Sequence, residues 1–187
     1  MRILSGQYRG ILLKSFKSVK IRPTSGLLKE CFFNICRGYI EGAHFLDLFA
    51  GTGIVGLEAL SQGASSAVFV DSSHDSVRII KENLKRVKPR EPVKIISKNV
   101  FCGLKYLAGI GASFDIIYID PPYENIPCIV PNLLEQIVNE KLLVAKGVIF
   151  VESHKDYEMR IPSVLSKVRF KKLGSSGFAE YRLRSEP

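Results

Sequence analysis

Phe45–Leu57 reads FLDLFAGTGIVGL. Phe45–Phe49 is a short apolar run of strand type, Gly51–Gly56 a tight loop, and Val55–Ser61 the start of a helical pattern. The glycines at 51, 53 and 56 fall at the spacing that lets a ligand approach the backbone and meet the positive end of the following helix. In an open α/β sheet, ligands bind at this edge. Asp71, 20 residues after Gly51, ends the next apolar run, where a carboxylate can accept both hydroxyls of a ribose.

Downstream, strand and helix patterns alternate. Ala67–Val70 is a strand and Ser73–Val87 a helix that stops before Pro89. Val93–Ile96, Phe114–Ile119 and Val148–Val151 read as further strands, with helices at Val100–Leu107 and Ile129–Val138 between them. Lys167–Leu173 and Phe178–Leu183, joined by Gly174-Ser175-Ser176-Gly177, make a closing hairpin. Apolar strands separated by helices imply a mostly parallel sheet covered on both faces, with an antiparallel strand added at one side. Upstream, residues 2–15 read as a hairpin. Thr24 or Ser25 is a candidate cap for a helix through about Tyr39, with Leu28 and Phe32 on its apolar face. The expected division is 1–40, a hairpin-and-helix extension, and 41–187, the main domain.

The chain has 187 residues, 46% hydrophobic and 24% charged, ordinary values for one globular domain. No apolar run reaches the roughly 20 residues of a membrane span, and the first residues lack the apolar core of a signal peptide, so a cytoplasmic location is expected. Cys31, Cys36, Cys102 and Cys128 have no metal-ligand spacing and read as buried thiols; no metal is expected. Of the net charge of +9, residues 1–30 carry +6, from seven basic side chains and one acid. Such asymmetry suits a phosphate-binding surface, and also a merely solvated basic terminus.

The glycine loop alone fits a nicotinamide dehydrogenase as well as a methyltransferase. Asp47, just before it, tilts the balance. A carboxylate there repels a pyrophosphate but suits the ammonium and sulfonium of S-adenosylmethionine. The plainer reading is a partner for the following helix N-terminus, contributing about 0.3–1 kcal/mol.

Phe114–Tyr123 reads FDIIYIDPPY, a buried strand that delivers Asp120-Pro121-Pro122-Tyr123 to the same sheet edge. The exocyclic amine of a nucleobase is a weak nucleophile because its lone pair is delocalised into the ring. Asp120 and a proline carbonyl can accept its two hydrogens, and rigid prolines preorganise those acceptors. Tyr123 can stack on an unstacked base. A Pro-Pro turn with Asp120 as cap and Tyr123 as packing is the alternative.

Taken together, Asp47–Gly53, Gly56–Ser61 and Asp120–Tyr123 resemble the RsmD family, whose members methylate a guanine 2-amino group in small-subunit (16S) ribosomal RNA. Arg2-Ile3, Gly6–Gly10, Arg22-Pro23-Thr24, Glu30, Phe33-Asn34, Val151-Glu152-Ser153 and Tyr181-Arg182-Leu183 recur in the same order, so the likeness spans nearly the whole chain. It implies a class I S-adenosylmethionine methyltransferase fold: Rossmann-like α/β, a mostly parallel seven-stranded sheet with an antiparallel strand, plus a small N-terminal β-hairpin extension. It implies S-adenosylmethionine contacts from Asp47, Phe49, Ala50, Gly51, Gly53, Asp71 and Asn99, and a catalytic pocket from Asp120, Pro121, Pro122 and Tyr123. Arg9, Arg22 and Thr24 would face the RNA, within a partly assembled small subunit. Gly26 and Lys29 stand where the family usually has an acid and an arginine. A lysine keeps the charge but loses the planar fork. Three rivals remain: a DNA amino-methyltransferase, a nicotinamide oxidoreductase and a non-catalytic RNA-binding assembly factor.

Overall fold

A computed structural model describes residues 1–16, 23–122, 126–154 and 160–184, with no side-chain description at 23–25 and 126–127. Arg22 and Tyr123 lie outside the described residues, as does the Thr24 side chain.

The strands are β1 (His44–Leu48), β2 (Ser66–Asp71), β3 (Val93–Ser97), β4 (Phe114–Ile119), β5 (Leu143–His154), β6 (Leu165–Leu173) and β7 (Ser176–Leu183). They form one seven-stranded sheet in the order β3-β2-β1-β4-β5-β7-β6. Pairings among β1 to β5 are parallel, while β7 runs antiparallel between β5 and β6. The helices are α1 (Pro23–Cys36), α2 (Ile54–Ser61), α3 (His74–Val87), α4 (Val100–Gly109) and α5 (Ile126–Asn139).

Strand residues alternate between the two faces, and each face has its own core. Phe45, Phe69, Tyr118 and Phe150 pack against α1, α2 and α3. Leu46, Val70, Ile117 and Ile149 pack against α4 and α5. The Phe32 ring of α1 sits at the centre of the first core, 4.8 Å from the rings of both Tyr118 and Phe150 and 6.3 Å from Phe45. Burying such a ring stabilises by about 1.5–3 kcal/mol.

The front section shares that core. Ile3 and Leu13 are buried in the same cluster as Phe45, together with Leu28 and Phe32. Its hairpin is reduced to one antiparallel bridge, Arg2 to Leu12, closed by turn hydrogen bonds such as Gly10 N–H to Ile3 O at 2.9 Å. The Gly6 backbone lies so close to α2 that a Cβ there would fall 1.7 Å from the Ser61 carbonyl oxygen.

Further details differ from the sequence expectations. Helix α1 begins at Pro23, so Thr24 and Ser25 lie inside its first turn instead of capping it; proline is favoured there because its missing N–H has no intrahelical partner to lose. Strand β5 starts at Leu143, earlier than expected, and α5 starts at Ile126 with Pro131 inside it. Of the four cysteines only Cys36 is buried; Cys31 is half-buried, and Cys102 and Cys128 are exposed. Each of those two is the third residue of its helix, and the helical phase turns it away from the core.

Candidate active site

The polar site forms where the apolar rows of the first face give way to acids. In the parallel register Asp47 of β1 pairs with Tyr118 of β4, and Tyr118 pairs with Phe150 of β5. Two residues further along the same face come Asp120 and Glu152. The carboxyl ends of three neighbouring strands thus present Asp47, Asp120 and Glu152 to a single cavity of about 330 Å³.

The glycine loop supplies the second wall. Phe49, Gly51 and Gly53 all have positive φ, at 60°, 55° and 74°. That conformation strains a side-chain-bearing residue such as Phe49 by about 1–2 kcal/mol, and glycine adopts it freely. The turn is held by Gly53 N–H to Ala50 O at 2.7 Å and by Gly51 N–H to the Asp71 carboxylate at 2.8 Å. Gly53 stands directly before α2, with Phe69 and Ile80 behind it. Gly56 lies so near the Phe69 ring that a Cβ would fall 2.4 Å from it, so the third glycine sets the helix-to-strand distance. Phe49, Ala50, Gly51 and Thr52 face the cavity.

Met1, Arg2 and Leu4 from the front section and Gly26 and Lys29 from α1 complete the lining. They are held by Glu58, a buried acid of α2. Its carboxylate accepts the backbone N–H of Leu4 and of Ser5 and pairs with Lys29 Nζ at 3.3 Å. Ser61 adds two more ties, accepting Tyr8 N–H and donating to Ser5 O.

The electrostatics favour a cation. Asp47 is buried, and one of its oxygens accepts Gly56 N–H at 3.0 Å, so the helix-partner role is real for that oxygen. Burial pushes its carboxyl up to about 8, against the pull of that hydrogen bond and with the help of Asp71. Asp120 is exposed to the cavity. The desolvation it meets there, with the Glu152 and Asp47 charges nearby, raises its carboxyl above the usual range. Among the described residues, no basic side chain pairs with Asp47 or Asp120. Tyr118 is buried and donates its hydroxyl to Glu152 Oε2 at 2.9 Å. Desolvation first, then the Glu152 charge, keeps that phenol protonated.

Of the other expected residues, Asp71 accepts from Ser73 N–H as well as from Gly51 N–H. Asn99 caps α4 by accepting Phe101 N–H at 2.9 Å and lies outside the cavity wall. Pro121 is buried and Pro122 exposed after the end of β4. Arg9 is exposed on the front section. Tyr118 and the walls at Met1, Arg2 and Lys29 were not legible as site residues. Glu152 had a signal in its position after the apolar run of β5, as Asp120 has after β4.

This arrangement has known relatives. The family model described as "Conserved hypothetical protein 95" matches residues 1–182. The chain belongs to the RsmD family. Among RsmD relatives, the Ribosomal RNA small subunit methyltransferase D of Haemophilus influenzae is 31% identical, over 98% of this chain and 92% of that protein. The protein of that name from Escherichia coli K12 is 30% identical, over 98% and 88%. Among solved structures, Escherichia coli yhhF superposes with a TM-score of 0.85 at 27% identity, covering 100% of this chain and 99% of that one. A hypothetical protein from Thermus gives 0.81 at 28% identity, over 98% and 99%.

Proposed function

We propose that this chain transfers a methyl group from S-adenosylmethionine to the 2-amino group of a guanine in bacterial 16S ribosomal RNA, with a partly assembled small subunit as its substrate. Membership of the RsmD family and the names of the Haemophilus and Escherichia relatives support the ribosomal RNA class. The observation that carries the chemistry is the pair Asp47 and Asp120, one buried and one exposed carboxylate on a single cavity, with no basic partner among the described residues. A site of that kind suits a ligand bearing two positive charges.

When bound, S-adenosylmethionine supplies an activated methyl group on sulfonium sulfur. Asp47 would hold the ammonium end with the oxygen not engaged by Gly56, and Asp71 the ribose hydroxyls, with Phe49, Ala50, Gly51 and Gly53 shaping the loop beneath. Asn99, at the start of α4, would sit toward the adenine. Asp120 and the carbonyl of Pro121 or Pro122 would accept the two amine hydrogens, turning the nitrogen lone pair toward the methyl. Tyr123 would stack on the base. As the N–C bond forms, the methyl's bond to sulfur breaks and its electron pair stays on the sulfur, while one proton leaves the nitrogen and Asp120 would take it. Holding the nucleophile in line is worth up to about 7–11 kcal/mol of barrier. Arg9, Arg22 and Thr24 of the 1–40 extension would contact RNA phosphates, while 41–187 carries the transfer.

The test is incorporation of labelled methyl from S-adenosylmethionine into unmodified small subunits, free 16S RNA and duplex DNA, followed by mass mapping of the product base. N2-methylguanine in the ribosomal RNA is expected. Preferential labelling of DNA, or stabilisation by NAD in place of S-adenosylhomocysteine, would overturn the reading.

A further inference from the structure

Glu152 lies in the cavity beside Asp120, yet methyl transfer as described above gives it nothing to do. The register Tyr118 to Phe150 and Ile119 to Val151 carries on to place Asp120 and Glu152 at adjacent positions on the same face. Adjacent strands start about 4.8 Å apart, so two side chains at equivalent positions can reach one edge of a planar base together. Glu152 is half-buried, lines the cavity, and receives the hydroxyl of the buried Tyr118 on Oε2 at 2.9 Å. That bond fixes the carboxylate from beneath. A carboxylate offers about four acceptor positions, so it can hold several donors at once.

Resting on the guanine assignment, we propose that Glu152 reads the base, accepting the ring N1–H of guanine while Asp120 holds the neighbouring 2-amino group. Guanine sets two donors side by side, the imide N1–H and the exocyclic amine. Adenine and cytosine set a ring-nitrogen lone pair beside their amine. A carboxylate facing that lone pair finds no proton and repels it, so Glu152 selects guanine by attraction and rejects the other amino bases by repulsion. Glu152 is thus a specificity residue, Tyr118 the group that positions it, and Asp120 the group at the reacting nitrogen.

The test places 2-aminopurine at the mapped target position of the RNA by ligation. This base keeps the 2-amino acceptor, but its N1 is a bare acceptor. The wild-type enzyme is expected to use it at least tenfold less well than guanine in kcat/KM, the usual scale for one misplaced hydrogen bond to a charged group. Glu152→Gln can turn its amide N–H to that lone pair, so it is expected to lose on guanine and gain on 2-aminopurine, narrowing or reversing the ratio. Tyr118→Phe keeps the carboxylate but removes this hold on it, and is expected to relax discrimination partway while both variants unfold at near wild-type temperature. Equal use of the two bases by the wild type, or a parallel fall on both in Glu152→Gln, overturns the inference and leaves guanine methylation standing. No methylation of guanine by the wild type overturns both.

Discussion

Both carboxylate oxygens of Glu58 accept the backbone N–H of Leu4, at 2.9 and 3.1 Å. Glu58 is fully buried and also takes Ser5 N–H and the Lys29 ammonium. One acid of α2 thereby anchors two walls of the cavity. Glu58→Ala leaves two amide donors and a lysine without their acceptor, and is expected to cost about 3 kcal/mol in urea denaturation. A loss under about 1 kcal/mol would show that the front section does not depend on this anchor.

Asp120→Ala is expected to lower methyl transfer about 10²–10³-fold, the scale for removing one preorganised polar contact to the reacting group. S-adenosylhomocysteine affinity, read by calorimetry, should stay within a few fold. Retained transfer would remove Asp120 from the chemistry.

Asp47 makes binding and stability depend on pH in opposite senses. Its carboxyl is raised from 3.8 to about 8 in the free fold, so the folded chain holds a proton that the unfolded chain gives up. The free protein therefore loses stability as pH rises through that window, and Asp47→Asn should flatten the loss. A cation docking on Asp47 favours the charged form and expels the proton. Binding of S-adenosylhomocysteine near pH 7, followed calorimetrically in two buffers of different ionisation enthalpy, should release protons. No release from the wild type, or the same release from Asp47→Asn, would contradict this role.

Gly56→Ala puts a Cβ 2.4 Å from the Phe69 ring, which is fully buried in the same core as Ile80. Overpacking of this kind costs about 1–3 kcal/mol. A Tm equal to wild type would mean that the helix can lift off the strand without penalty.

Arg9→Ala should weaken RNA binding and reduce the slope of log affinity against log salt by about one, with S-adenosylhomocysteine binding unchanged. An unaltered slope in filter binding would place Arg9 away from the phosphates.

The parallel sheet was legible because its strands are uninterrupted apolar runs; Phe114–Ile119 is β4 to the residue. Asp47 and Asp120 were legible because local spacing ties each to a strand end. Glu58 was not, since one acid in a short helix looks like a solvated face until the front section folds over it. The early start of β5 was hidden by Ala145-Lys146-Gly147, which interrupts the apolar pattern and is exposed at its first two positions. The start of α1 was obscured because Thr24-Ser25 has the chemistry of a cap, while Pro23 before it has the geometry of a first helical residue.

Met1, Arg2 and Leu4 share a cavity with Glu152, so chain positions some 150 residues apart meet around one space. Whatever occupies that space and touches both partners makes detachment of the opening segment less favourable, and by reciprocity a firmly seated segment tightens the hold on the occupant. Amide exchange at Leu4 and Ser5, far along the sequence from the glycine turn, thus becomes a gauge of whether the pocket is filled.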